Sequence, residues 1–523
     1  MLLRAATPSA AALTFSMPQG CAVSGIRGPT PVSSATAPTE KAQPTESGAW
    51  SPVAMALLGL LVVLLIVGTI AFPTYTTFDS TYTLLWGREI LGGDLPTFDA
   101  FRAPTQHPLW LLVGVVFALF GDAADRLLVL ATIVSYVFLI AGVYSLGRRS
   151  FTVAIGIIAA TLVVLRYNYL LLAVRAYLDI PFMALIVWAA AWEVSRPRRG
   201  TPVMVLLFLA GLLRPEAWII AGLYWLYLFP TMSWARRFWM AVLVAGAPLL
   251  WIATDFIVTG DPLFSQTHTS SVSEEVGRQA SLLTAMKLGV IYLRDLASVP
   301  IALLGLAGTL LAIWFTPRRA VIPLAVLAAG LGTFFLISVG GLSVIPRYMI
   351  LPALMILFFA GVALGGFSMA GSVNLRRAWI ATAVLVVAAS AFFTLQRSNY
   401  SPVIADLEFR DDAEQALISL LNEPGVKSAV DCGPILTPNH RMMPDVRWEL
   451  DLGADRVVAR TDVEEAAKVK SGLAILANNR SVLIRQGLDY DDPSSADTLR
   501  SLPPPGYSKV ASNRFFSAWA RCR

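Results

Sequence analysis

The sequence predicts a polytopic α-helical membrane protein of about 11–13 transmembrane helices with a small C-terminal extracytoplasmic α/β domain. Three observations predict it. Apolar blocks recur along most of the chain, many of them near the roughly 20 residues needed to cross hydrocarbon. Charged residues make up only 14% of the 523 residues and the mean hydropathy is +0.65, so the chain is depleted in the groups that keep a soluble surface wet. Beyond Arg397 the composition changes to short β-like runs separated by helical spacing. The net charge of +6, from 40 basic and 34 acidic residues, sits largely in basic pairs between apolar runs. That pattern reports membrane topology and gives no sign of a nucleic-acid partner.

Taken in order, residues 1–50 are rich in Ala, Pro, Ser and Thr and read as a disordered N-terminal tail without a secretory signal. Residues 51–396 form the membrane module. Its apolar segments fall at about 53–72, 107–121, 127–146, 151–173, 180–194, 202–213, 216–230, 238–258, 297–315, 320–340, 346–368 and 377–394. Arg148–Arg149, Arg196 to Arg199, Arg236–Arg237, Arg318–Arg319 and Arg376–Arg377 punctuate them. With these clusters on the cytoplasmic side of a plasma membrane, the first loop (74–106), the loops holding Asp179, Arg214, 259–296 and Arg347, and everything after 394 face outward. The rule does not close at 107–121 and 127–146: either the short 107–121 run is re-entrant, giving eleven crossings, or Arg148–Arg149 lie on the opposite side.

Residues 397–523 read as a domain large enough to hold its own core. "DDAEQALISLLNE" has helical spacing, with Ala413, Ala416, Leu417, Leu420 and Leu421 on one side. "SAVDCG", "RVVAR", "LAILA", "SVLIR" and "FFSAWAR" read as strands, and "TDVEEAAKVK" as a helix. Cys432 and Cys522 are disulfide candidates if this region is extracytoplasmic, and two unrelated thiols otherwise.

The charged residues concentrate at one membrane face instead of being spread through the depth of the bilayer, as an ion pathway would need. Asp79, Asp94, Asp99, Arg102 and His107 precede the second apolar segment. Arg175 and Asp179 lie in "RAYLDIPF", Arg214 and Glu216 in "LLRPEAW", His268 in "VTGDPLFSQTHT" and Arg347 in "VIPRYMILP". Asp94 and Asp99 read as ordinary solvated loop charges. In "STYTLLWGREILGG", Leu84, Leu85, Trp86, Ile90 and Leu91 define the face of a helix lying in the membrane interface, with Trp86 at headgroup depth and Asp79 beside it.

This order of features over residues 53–394 resembles the GT-C class of membrane glycosyltransferases, which use polyprenyl-phosphate sugars. Asp79 in "TTFDSTY" matches the essential aspartate of that class's first external loop. "TQHPLW" resembles its proline-rich entry to the next helix, "RAYLDIPF" and "LLRPEAW" its central hairpins, and "PRYMILP" a late helix start. The paired acidic residue beside the first aspartate, seen in protein O-mannosyltransferases, is missing, and no metal-ligand cluster is evident. A divalent cation therefore stays an open question.

The resemblance implies inverting transfer of a sugar from a polyprenyl-phosphate donor to a cell-envelope glycan, lipid or protein, with surrounding membrane lipids as the remaining partners. Such transfer needs a carboxylate base and positive charge where the phosphate departs. Asp79 is the candidate base. Arg175, Arg214 and Arg347 are the donor-phosphate candidates, since guanidinium binds phosphate oxygens through paired hydrogen bonds, and His107 joins them. Asp179, Glu216, Arg102 and His268 are further substrate-binding candidates.

Each has a competing structural role: ion pairing of Arg175 with Asp179 and of Arg214 with Glu216, helix capping for Asp179, a plain loop histidine for His268. The Ala-, Val-, Leu- and Arg-rich composition has an actinobacterial character, and with it the resemblance implies an actinobacterial-type mannosyl- or arabinosyltransferase using a decaprenyl-phosphate donor. No Gly-rich phosphate loop or D-x-D motif points to nucleotide sugars, and "DDP" at Asp491–Asp492 reads as a turn. In "DCGPILTPNHRMMPDVRWELDL", His440, Arg441 and Trp448 are carbohydrate-contact candidates within a domain that otherwise caps the membrane module. A transporter or flippase of lipid-linked solutes, and a non-catalytic envelope scaffold, are the alternatives.

Overall fold

A computed structural model describes residues 50–275, 277, 281–397, 401–478, 481–482 and 502–522. The N-terminal tail and Asp491–Asp492 lie outside the described residues. The chain begins with α1 (Pro52–Ala71), α2 (Phe78–Gly92), α3 (Pro108–Ala118), α4 (Ala124–Ser150), α5 (Val153–Val164), α6 (Tyr167–Val174) and α7 (Asp179–Ser195). It continues with α8 (Thr201–Leu213), α9 (Glu216–Leu228), α10 (Trp234–Thr259), α11 (Phe264–Glu275), α12 (Leu282–Ala297), α13 (Val299–Phe315) and α14 (Pro317–Val339). A 3-10 turn (Pro346–Met349), α15 (Ile350–Gly365) and α16 (Val373–Arg397) complete the membrane module.

Six helical stretches are long and apolar enough to cross a membrane, and the bent pairs α5–α6 and α12–α13 raise the number to as many as eight. The chain is a multi-pass membrane protein. Other apolar runs of the sequence form shorter helices. At 11 residues, α3 extends about 17 Å, well short of a hydrocarbon core of about 30 Å. The run 151–173 is broken at Leu165–Arg166, where α5 and α6 meet at 62°. The stretch 259–296, read from sequence as a loop, contains α11 and most of α12. α11, a polar helix, does not register as a span, and α12 does so only together with α13 across a 103° bend. All sixteen residues of α15 are buried, which places this uniformly apolar helix at the centre of the module.

The helix expected at the interface is α2, but its surroundings differ from expectation. Leu84, Leu85 and Trp86 are buried in protein, and the Trp86 indole donates to the Thr97 carbonyl at 3.2 Å. Glycine explains how α2 sinks so deep. A Cβ on Gly87 would strike the backbone of Gly114 in α3, and one on Gly114 would strike the Thr83 carbonyl. The two helices therefore touch backbone to backbone.

The C-terminal region holds α17 (Ser401–Leu421), α18 (Pro424–Val430), β1 (Ile435–Thr437), α19 (Met443–Leu450), β2 (Val457–Ala459), α20 (Val463–Lys468), β3 (Gly472–Ala477), β4 (Ser508–Ser512) and β5 (Phe516–Arg521). The sheet order is β2-β1-β3-β5-β4, parallel for β2, β1 and β3 and antiparallel for β5 and β4. Leu417, Leu420 and Leu421 of α17 pack with Ile475 and Phe516 in one core, as their spacing predicts. "SAVDCG" is not a strand: Pro424 starts α18, which runs through Val430, and pairing begins only at Ile435. Of "SVLIR", only Ser481 and Val482 are described, and they are helical. Cys432 and Cys522 are joined in a disulfide, tying the approach to β1 to the end of β5.

This domain grips the first loop. Arg447, with a fully buried side chain, pairs with Glu89 and donates to the Thr97 hydroxyl at 3.2 Å. Arg88 returns the contact, donating to the carbonyls of Trp448 and Arg447 at 2.9 and 2.8 Å and lying 4.6 Å over the Trp448 ring. Phe101 from the loop joins the domain core.

Candidate active site

Four connections at one end of the bundle bring the predicted residues together. Asp79 lies in the first turn of α2, where a carboxylate interacts favourably with the helix dipole. Ser80 donates to the Ala176 carbonyl at 2.8 Å, pinning the start of α2 to the turn before α7. Asp179 opens α7, Arg214 follows α8, Glu216 opens α9, and Arg347 sits in the 3-10 turn before α15. The preceding chain is held by Tyr292, whose hydroxyl donates to the Val344 carbonyl at 2.9 Å.

The side chains form one continuous line of alternating charge. Asp79 pairs with Arg347 at 2.6 Å, and Arg347 reaches Asp179 at 3.2 Å. Asp179 also pairs with Arg214, which pairs with Glu216 at 2.6 Å. Of the competing roles, the Arg214–Glu216 pair forms. Asp179 makes no capping hydrogen bond and turns to Arg214 and Arg347, with no ion pair to Arg175. The two ends of the line differ in access. The Arg214 and Asp179 side chains are 7% and 3% exposed, whereas those of Arg347 and Asp79 are 25% and 31% exposed.

Asp79 and Arg347 line a cavity of about 450 Å³. One side is apolar, with Leu336, Ile337 and Ile345. Another is aromatic, with Trp218 and Trp251 at 5.8 Å and His107 edge-on to Trp251 at 5.4 Å. Asp255 is buried at a further polar wall, accepting from Gln106 at 3.0 Å and from the Ser265 amide and hydroxyl at 2.9 and 2.7 Å. Asp255 was not among the sequence candidates. Its signal was a lone carboxylate inside the apolar run "WIATDFIVT", a pattern that marks functional positions in membrane helices.

The remaining candidates lie elsewhere. Arg175 does not line this cavity. Its guanidinium lies 6.0 Å from the Tyr177 ring, and that of Arg347 lies 4.9 Å from the same ring. Arg102 pairs with Glu275 at 2.6 Å, and His268 stacks on Phe264 at 5.0 Å; neither lines the cavity. His440 meets Phe78 edge-on at 5.5 Å, and Trp448 is covered by Arg88, so both serve the grip between domain and loop. Among the described residues no three His, Cys, Asp or Glu side chains form a metal-holding group. Asp79, Asp179 and Glu216 are each held by guanidinium.

Neither a protein-family model nor a curated protein sequence matches the chain. Solved structures do. The apo structure of ArnT from Cupriavidus metallidurans is 15% identical with a TM-score of 0.54, covering 90% of this chain and 98% of that one. Its form bound to undecaprenyl phosphate is 14% identical at the same TM-score and coverage. An oligosaccharyltransferase from Archaeoglobus fulgidus tethered to an acceptor peptide is 12% identical with a TM-score of 0.50, covering 83% and 69%. The fold is GT-C-like. At these identities the likeness concerns the fold, and the chemistry rests on the residues of the cavity.

Proposed function

We propose that this protein is an inverting glycosyltransferase that moves a sugar from a polyprenyl-phosphate carrier to a cell-envelope glycan, lipid or protein acceptor on the outer face of the plasma membrane. The observation that carries the reading is the accessible Asp79–Arg347 pair on the wall of a cavity that is charged on one side and apolar on another. A lipid-phosphate sugar has the same two characters. The fold shared with a structure bound to undecaprenyl phosphate supports it.

In the resting arrangement Arg347 holds Asp79. The donor phosphate takes over the guanidinium through paired hydrogen bonds, which leaves the carboxylate free to act as base. The acceptor hydroxyl oxygen bonds to the anomeric carbon while the bond from that carbon to the phosphate oxygen breaks. The electron pair leaves with the phosphate and the hydroxyl proton passes to Asp79. Arg214 acts behind this centre by fixing Asp179, which in turn aims Arg347. His107 and the two tryptophans offer a polar edge and flat apolar faces for a sugar ring. The Cys432–Cys522 disulfide fits a domain outside the cytoplasm, which would put the cavity on the donor's delivery side.

Donor sugars of first choice are mannose and arabinose on decaprenyl phosphate, a choice taken from the resemblance alone. The test is transfer of labelled sugar by the purified protein in nanodiscs from a panel of polyprenyl-phosphate and nucleotide sugars. Turnover with a lipid donor and none with the nucleotide sugars is expected. Lipid translocation without turnover would favour a flippase.

A further inference from the structure

A second cavity, of about 330 Å³, lies between α1, α6 and α17, and Asp79 is not among its lining residues. Its walls are almost wholly apolar and include Leu64 and Phe72 of the α1 region, Leu171 and Val174 of α6, and Leu407 of α17. Beside it, α1 is a membrane span with only 17% of its apolar window buried in protein, so the groove opens towards hydrocarbon.

Every wall gives way to a polar group at the same end. Thr74 is followed by Tyr75, Val174 by Arg175, and Arg410 lies one turn beyond Leu407. The guanidiniums of Arg175 and Arg410 lie 5.1 and 5.4 Å from the Tyr75 ring. Tyr75 is 6% exposed, yet among the described residues its hydroxyl has no hydrogen-bond partner, and neither has the buried Nε of Arg175. Arg410 pairs with Asp406 at 3.0 Å, whereas no carboxylate of the described residues pairs with Arg175. The end of the groove therefore carries unmatched positive charge.

We propose that this groove binds one anionic glycerophospholipid of the surrounding bilayer. One acyl chain lies between α1, α6 and α17, and the phosphodiester lies on Arg175 with the Tyr75 hydroxyl donating to it. Charge complementarity selects the headgroup and the hydrocarbon-facing wall selects the chain. The polyprenyl carrier is a poorer fit, because among the described residues the carboxylate that acts on Tyr75 is Asp406, which is held by Arg410 and cannot serve a transfer reaction. The site bears on the reaction centre through Tyr177, whose ring the guanidiniums of Arg175 and Arg347 both approach, so a bound headgroup would steady the turn that presents Asp179. Lipid binding itself does not depend on the transferase reading.

The experiment is native mass spectrometry of the full chain titrated with phosphatidylglycerol or phosphatidylcholine. Wild type retains one phosphatidylglycerol in preference to phosphatidylcholine. Arg175→Gln loses roughly tenfold in that preference, the size of one charge-assisted hydrogen bond, and Arg175→Lys keeps part of it. Leu171→Trp, which fills the groove, loses retention, and Arg318→Gln at a distant basic pair binds as wild type. Circular dichroism and size-exclusion profiles matching wild type qualify each variant. Unchanged retention by both Arg175→Gln and Leu171→Trp would overturn the site. One-for-one displacement of phosphatidylglycerol by decaprenyl phosphate would overturn its assignment to a phospholipid.

Discussion

Arg347 and Arg214 carry the same charge on the same aspartate, but exposure separates their roles. Arg347 faces the cavity with a quarter of its side chain accessible, while Arg214 is buried between Asp179 and Glu216. Arg347→Gln should abolish turnover with little change in melting temperature. Arg347→Lys should keep only a small fraction, because an ammonium cannot make the planar two-point contact. Arg214→Gln should instead cost stability of about 3–5 kcal/mol by leaving the largely buried Glu216 without its countercharge and Asp179 with Arg347 alone. Measuring kcat/KM and Tm on the same preparations separates the two cases.

A further residue-scale test concerns Asp445 in the C-terminal domain, where burial, helped by Glu449, pushes the carboxyl up to about 7. The folded state then binds a proton more tightly than the unfolded one, so stability is full at low pH and declines as pH rises from the ordinary carboxylate range through about 7. Asp445→Asn should raise Tm at pH above 7 and lose that advantage in acid; scans of Tm against pH check it. Sequence exposed most of the charged line because arginines and carboxylates beside prolines in short connections stand out against apolar flanks. It could not rank Arg175 against Arg347, since that depends on which guanidinium the fold brings to the cavity wall and to Asp79.

At the scale of elements, α2 holds Asp79, the proposed base, and two contacts hold α2. One is the backbone approach of Gly87 to Gly114; the other is the Arg447–Glu89 pair reaching in from α19. Gly114→Leu should force α2 off α3 and remove activity. Glu89→Gln should destabilise the protein by leaving the fully buried Arg447 without its countercharge. Limited proteolysis around residues 93–106 reads both as loosening of the first loop.

The helical nature of "STYTLLWGREILGG" was legible from its apolar spacing. Its burial was not, because an apolar face looks the same whether lipid or another helix covers it, and only the paired glycines hinted at a helix partner. "SAVDCG" misled as well: a short run of small residues around Val430 pointed to a strand, while Pro424 at the first turn of α18 decided for a helix.

Over the molecule, hydropathy set the fold class and the change of composition after Arg397 marked the sheet domain. The count of crossings was less legible, because the halves of a sharply bent membrane helix are each shorter than a bilayer and resemble separate spans. The disulfide closes a 90-residue interval across that domain, so Cys432→Ser should lower its stability by about 2–5 kcal/mol, seen as earlier loss of β-sheet signal on heating.

Asp79 is proposed here as the base of a sugar transfer from a lipid phosphate. Its most direct test is single-turnover transfer from a polyprenyl-phosphate sugar by wild type and by Asp79→Asn, both shown to be folded and to bind the donor. The account predicts that the variant binds donor and transfers no sugar, a loss of several orders of magnitude. Transfer by Asp79→Asn at the wild-type rate would contradict it and move the search for the base to Asp255, the other carboxylate on the cavity wall away from the arginine line.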